Sequence, residues 1–229
     1  MSAKQNDSPV SLQPVPIWDL PVRLFHWSLV VLLVISWTTA EIGGNAMVYH
    51  LWSGYTVLTL VLFRLLWGCW GSTHARFDDF VRGPCAAIRY AQALLHGETP
   101  LYPGHNPLGG WMVILLLLAL SIQAGTGLFA NDDIFIEGPL YPWVSKADSD
   151  FLTWIHKFNF DILLILIGLH VLAALFYLFG KHQNLILPML TGHKSMDRAF
   201  QNPHSHFASL WLAAALLGLS AGGVYLLVR

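Results

Sequence analysis

Hydrophobic positions fall into five long runs, about Val22 to Ala40, Ala46 to Trp70, Leu108 to Ala130, Phe151 to Phe179 and Phe207 to Val228. An α-helix rises about 1.5 Å per residue, so roughly 20 apolar residues cross a bilayer core about 30 Å thick. A chain in lipid must satisfy its own backbone donors and acceptors, and the pattern therefore predicts five membrane-spanning helices. Polar residues mark the connections. Gly43-Gly44-Asn45 makes a short turn between the first two spans, and residues 71 to 106 form the one sizeable loop on the other side. Within that loop Pro84 to His96 predicts an amphipathic surface helix, with Ile88, Ala91 and Leu95 on one side and Gly97 as its stop. Asn131 to Asp150 joins spans three and four, and Lys181 to His206 joins four and five.

Composition agrees with this picture. The chain is 55% hydrophobic and only 11% charged, with a mean hydropathy of +0.54, which excludes an ordinary soluble surface. The first twenty residues hold no apolar core followed by a small-residue cleavage site, so the first span reads as a retained anchor. If the N-terminus faces the cytoplasm, Lys4, Arg23, Arg64, Arg76, Arg82, Arg89, Lys181, Lys194 and Arg198 lie on the inner side, against Lys146, Lys157 and Arg229 outside. Positive charge gathers on the cytoplasmic side, so the expected orientation is N-in, C-out. A net charge of −1 without a basic cluster gives no basis for nucleic-acid binding. Cys69 and Cys85 are not spaced for covalent haem attachment, nor do two thiols make a zinc or iron–sulfur site.

Histidines carry the chemistry. His156 and His170 stand fourteen positions apart in the fourth span, which brings both to nearly one helix face, about 21 Å apart along the axis. Ionisable groups inside a bilayer are costly and mark partners or cofactors. His26 opens the first span and His50 the second. Alternating helix direction places His26 level with His170 on the inner side and His50 level with His156 on the outer. The crossed pairs are separated by about 20 Å. Two level pairs of imidazoles suit two six-coordinate haem irons, a ligation that leaves no open position and favours electron transfer. The competing reading is hydrogen bonding between helices, while a structural zinc ion would need four ligands together.

Other residues take positions relative to these four. Gly54 lies one turn after His50, where a missing side chain admits a flat macrocycle. Arg64 lies fourteen residues after His50, level with the inner pair, where a guanidinium suits a haem propionate. Arg23 precedes His26 by three residues and Lys157 adjoins His156; each reads either as a propionate partner or as a snorkelling interfacial cation. Small residues at Gly125 and Gly127 permit close approach. His204-Ser-His206 reads as a metal or proton relay or as a solvated pair. The 131–150 loop sets five carboxylates against Lys146. It reads either as a dock for a lysine-rimmed c-type cytochrome or as an outer loop poor in positive charge by rule.

Six elements of this sequence resemble the bacterial cytochrome b561 and nickel–iron hydrogenase b-type cytochrome family, and more loosely the b-haem subunit of respiratory formate dehydrogenase. They are Pro-Val-Arg-Leu-Phe-His26-Trp, His50-x-x-x-Gly54-Tyr, Arg64-Leu-Leu-Trp-Gly, Gly104-His-Asn-Pro-Leu-Gly-Gly, Thr126-Gly-Leu and the His156/His170 pair. The resemblance covers roughly residues 16 to 194. It implies an all-α integral membrane four-helix bundle holding two haem b groups, at His26/His170 and His50/His156, with a fifth span added. It also implies a quinone as membrane partner and a periplasmic hydrogenase, dehydrogenase or c-type cytochrome as the other. The chain then divides into a tail of 1–15, a di-haem domain of 16–194 and an extra helix within 195–229. Location in the bacterial inner membrane follows. Asn106 matches the position that helps bind quinone in the formate dehydrogenase relative, and helix capping ahead of Pro107 is its other reading. A self-contained superoxide:quinone oxidoreductase, as in some b561 relatives, is the alternative function.

Overall fold

The computed structural model describes residues 12–98, 100–134, 136–197 and 205–229. His204, Lys4 and Arg198 lie outside the described residues. Five helices are long and apolar enough to cross a membrane. They are α1 (Leu20–Ile42), α2 (Met47–Trp70), α5 (Pro107–Gly127), α6 (Lys146–Leu175) and α8 (Leu210–Val228), with short helices α3 (Phe77–Phe80), α4 (Pro84–Leu95) and α7 (Ile186–Thr191) between them.

Local chemistry sets the helix ends. Asp19 caps α1 by accepting from the Val22 amide at 2.7 Å, with Pro21 in the first turn. Asn106 caps α5 through the Gly109 amide at 2.8 Å ahead of Pro107, and Ser209 caps α8 through Leu212 at 3.2 Å. The turn from α1 to α2 needs left-handed backbone at two consecutive residues, Gly43 (φ 67°) and Gly44 (φ 53°), which only glycine adopts without strain. α4 occupies the amphipathic stretch read from the sequence and stops at Gly97 with φ 86°. α6 begins earlier than expected. Ser145 is its cap, so Lys146, Asp148 and Asp150 sit in its first turns rather than in a loop. It continues through a π-helical turn, Phe176–Gly180.

α2 is central, packing on α1, α5 and α8, while α5 packs on α6. The fifth span therefore lies along α2, burying Ala213, Ser220 and Val224. At one end of the bundle, the cap end, two strands unforeseen in an all-α reading form an antiparallel ribbon: β1 (Leu12–Pro16) pairs with β2 (His193–Asp197), Leu12 opposite Asp197 and Pro16 opposite His193. A two-stranded ribbon is marginal alone. Val15 and Met196 anchor it in an apolar cluster with Ile17, Trp18, Phe63, Trp67 and Ala213. A second cluster fills the middle of the bundle, with Val57 and Val61 of α2, Ala119 and Leu120 of α5 and Leu163 of α6 packed against Leu29, Leu32 and Leu33 of α1.

Candidate cofactor-binding site

His26 comes from the second turn of α1 and His50 from the first turn of α2, and His156 and His170 come from α6. The fold joins them in the expected pairs. The His26 and His170 ring centroids are 6.2 Å apart at the cap end. Those of His50 and His156 are 6.1 Å apart at the opposite end, which carries the acidic loop. Two imidazoles that each offered a nitrogen to one metal at about 2.0 Å would stand about 6 Å apart centre to centre. Both pairs match. The mid-bundle cluster lies between the two levels, since Leu163 falls between His156 and His170, and Val57 and Val61 between His50 and Arg64.

Hydrogen bonds orient the acidic-loop pair. The His50 Nδ1 lies 2.8 Å from the Ser36 carbonyl oxygen and the His156 Nδ1 lies 2.9 Å from that of Gln123. Donation from Nδ1 leaves Nε2 with its lone pair for a metal. The Gln123 side-chain nitrogen lies 3.2 Å from the His156 Nε2, a contact that a metal held by that nitrogen would replace. Asn159, 5% exposed, holds Gln123 by donating to its Oε1 at 2.7 Å and to the Ala119 carbonyl at 2.9 Å. Gln123, Asn159 and Ser36 escaped the sequence reading, although polar side chains at histidine depth within apolar spans were the signal available. Gly127 lies directly beneath His156, where an added Cβ would be 3.0 Å from the ring. Around Gly54 and Gly125 an added Cβ meets nothing within 4 Å, leaving open space.

At the cap end the His26 Nδ1 is buried without a partner. Arg64 is 3% exposed with Nη1 unpartnered. Its guanidinium lies 5.3 Å from the Phe77 ring centre and 5.9 Å from that of Phe80. Arg23 turns toward α7 and donates to the Leu190 carbonyl at 2.5 Å, its Nε buried and unpartnered. Lys157 is exposed and lines a shallow cleft with Asp132, Asp133, Asp150 and Trp154. Asn106, besides capping α5, donates from Nδ2 to the Tyr177 hydroxyl at 3.1 Å, and that hydroxyl meets Tyr90 at 2.7 Å. His206 is tied to Thr73 at 3.2 Å. Cys69 and Cys85 are exposed free thiols, and among the described residues no cluster of three or more metal-ligating side chains occurs. The donor set is two neighbouring imidazoles per level, with a buried guanidinium whose Nη1 lacks a hydrogen bond at the cap end, and it fits a porphyrin iron with acidic side arms.

The prokaryotic cytochrome b561 family matches residues 17–192. The chain belongs to that family. Family membership and five spanning helices make it a multi-pass protein of the bacterial inner membrane and imply haem b as its redox group. The chain is 26% identical to a probable Ni/Fe-hydrogenase B-type cytochrome subunit of Bradyrhizobium diazoefficiens, covering 79% of this chain and 85% of that one. It is 25% identical to the probable superoxide oxidase CybB of Yersinia pestis, covering 72% of this chain and 90% of that one. A probable hydrogenase B-type cytochrome subunit of Rhizobium leguminosarum is 24% identical, over 81% and 90%. No solved structure matches.

Proposed function

We propose that this b561-family cytochrome holds two haem b groups, one between His26 and His170 and one between His50 and His156, and carries single electrons between a partner outside the membrane and the quinone pool. The observation carrying this reading is the pair of centroid distances, 6.2 and 6.1 Å, at two levels separated by an apolar layer. A haem ligated on both faces by imidazole supplies a reversible one-electron iron couple with no open coordination position. The chain's own contribution is to fix the imidazoles from three helices, to keep the intervening layer free of water, and to balance charge at the propionates.

With N-in, C-out topology the cap end faces the cytoplasm and the acidic-loop end the periplasm. Arg64 then serves the inner propionates, Gly54 clears space beside the outer macrocycle, and Lys157 and Arg23 stand at the outer and inner rims. Asn106, with the Tyr177 and Tyr90 hydroxyls behind it, offers donors for a quinone carbonyl. The two hydrogenase-subunit relatives favour a hydrogenase as the outer partner. The exposed acidic surface formed by the loop before α6 and by its first turns, where Asp133 and Asp150 flank Lys146, favours a basic c-type cytochrome.

Haem-to-protein ratio and redox spectra of the purified chain test the reading. Two low-spin b haems are expected, with His50→Ala removing one and His170→Ala the other. A single haem, or loss of both on either substitution, would overturn the pairing. The similarity to CybB supports a second reading, a superoxide:quinone oxidoreductase. Turnover of superoxide with a short-chain quinone by the isolated chain would select it, and no turnover without an added partner would select the subunit.

A further inference from the structure

Beside the His26/His170 pair, the cap end buries two donors that no group in the described chain answers. Arg64 makes no ion pair among the described residues, and its Nη1 is buried without a hydrogen bond. The Nδ1 of His105 is likewise buried and unpartnered. Its ring sits between Trp18 and Phe80, 4.7 Å from each, and Phe80 also underlies the Arg64 guanidinium. The neighbouring carboxylates accept hydrogen bonds from other groups, and Asp19 acts on Arg64 through its charge without a hydrogen bond. Asp19 accepts from the Val22 amide at 2.7 Å and from the Trp67 Nε1 at 3.0 Å. Asp79 is 2.9 Å from the His74 Nδ1.

Buried charges persist in folded proteins when they are paired, and buried donors when they have acceptors. An unanswered guanidinium and imidazole sharing one aromatic wall therefore call for an anion whose oxygens lie in a plane. Burial, reinforced by the Arg64 charge, pulls His105 down to about 3, so the imidazole is neutral at ordinary pH. The two donors then carry one positive charge between them; Asp19 offsets it through space but gives neither donor an acceptor, and a carboxylate between them would supply one.

We propose that Arg64 and His105 together receive one propionate carboxylate of the haem held by His26 and His170. This rests on the di-haem reading above. Arg64 supplies the charge and a planar fork, the His105 Nδ1–H supplies a second directed bond, and Phe77, Phe80 and Trp18 exclude water from both. Within the Gly104-His-Asn-Pro turn, His105 then meets the propionate, and Asn106 with Pro107 starts α5. A propionate neutralised in this way opposes reduction of its iron less than a free one, so the receptor raises the midpoint potential of that haem.

The test is a redox titration of the purified holoprotein. His105→Phe keeps a ring against Trp18 and Phe80 and removes the donor, and His105→Gln restores a donor. The expected result for His105→Phe is two haems retained, a more negative midpoint for the His26/His170 haem and an unmoved midpoint for the other. His105→Gln should return toward wild type, and Arg64→Gln should shift the same haem in the same direction and further. An unchanged midpoint in His105→Phe overturns the proposal. If that variant fails to load haem, the wild type decides, through redox-difference infrared spectra with 13C-labelled propionates. A label-sensitive carboxylate band that also responds to D2O supports the receptor, and the lack of such a response overturns it. Failure of the di-haem reading is distinguishable, because the wild type would then lack two low-spin haems before any variant is made.

Discussion

The Nδ1 of His50 lies 2.8 Å from the carbonyl oxygen of Ser36, and the His156 Nδ1 makes the equivalent contact with Gln123 at 2.9 Å. At the other level the His26 Nδ1 is buried without an acceptor. An imidazole that donates from Nδ1 is a more basic ligand and favours ferric iron, whereas the Arg64 charge favours the ferrous form at its own level. With a haem at each level, as proposed, the one lost in His50→Ala is therefore expected to have the lower midpoint potential. Redox titration of wild type and variant checks the order, and the reverse order would refute this account of tuning.

Gly127 supports the His156 ring directly. A Cβ there would stand 3.0 and 3.2 Å from two ring atoms, so Gly127→Val must displace the imidazole, an overpacking that costs about 1–3 kcal/mol. Haem content at that level should fall while the His26/His170 haem remains. Gly125→Ala, with open space around its Cβ, should keep the wild-type haem-to-protein ratio. Equal behaviour of the two variants would contradict the placement.

Asn159→Leu keeps the size of a buried side chain but leaves the Ala119 carbonyl and Gln123 Oε1 without the donor they now share. The stranded Gln123 Oε1 costs about 1–3 kcal/mol, while the Ala119 carbonyl stays within the backbone bonding of α5. A lower Tm in detergent and an altered spectrum of the His50/His156 haem are expected. An unchanged Tm would show that Asn159 carries no such duty.

Burial and the bond to Tyr177 raise the Tyr90 hydroxyl well above the usual tyrosine range. Its contribution to stability is complete below the unfolded value of about 10 and is lost as pH rises past it, because the unfolded chain releases that proton first. Thermal midpoints should fall as pH rises above about 10, and fall less steeply in Tyr90→Phe. Parallel slopes for the two proteins would assign the alkaline loss elsewhere.

Much of this was legible in the chain. Helix α4 and its Gly97 stop could be read from local pattern, because an amphipathic stripe and a left-handed stop are properties of neighbouring residues. The β1–β2 ribbon was not legible, since its strands are separated by the whole four-helix core and one contains two prolines, which weaken any strand signal. The start of α6 was misjudged for a similar reason. Its first turn is acidic and polar, and the Ser145 cap fixes the start, not hydropathy.

The sequence by itself determined the five spans and the depth of each histidine, because bilayer thickness and the fixed rise of a helix turn position along the chain into height. Tertiary structure alone decided which faces meet at each height. Packing brought His26 to within 6.2 Å of His170 and His50 to within 6.1 Å of His156, and left Arg64 and His105 against one phenylalanine. Helix rotation and side-chain direction depend on every neighbour in the bundle, and no single run of residues contains that information.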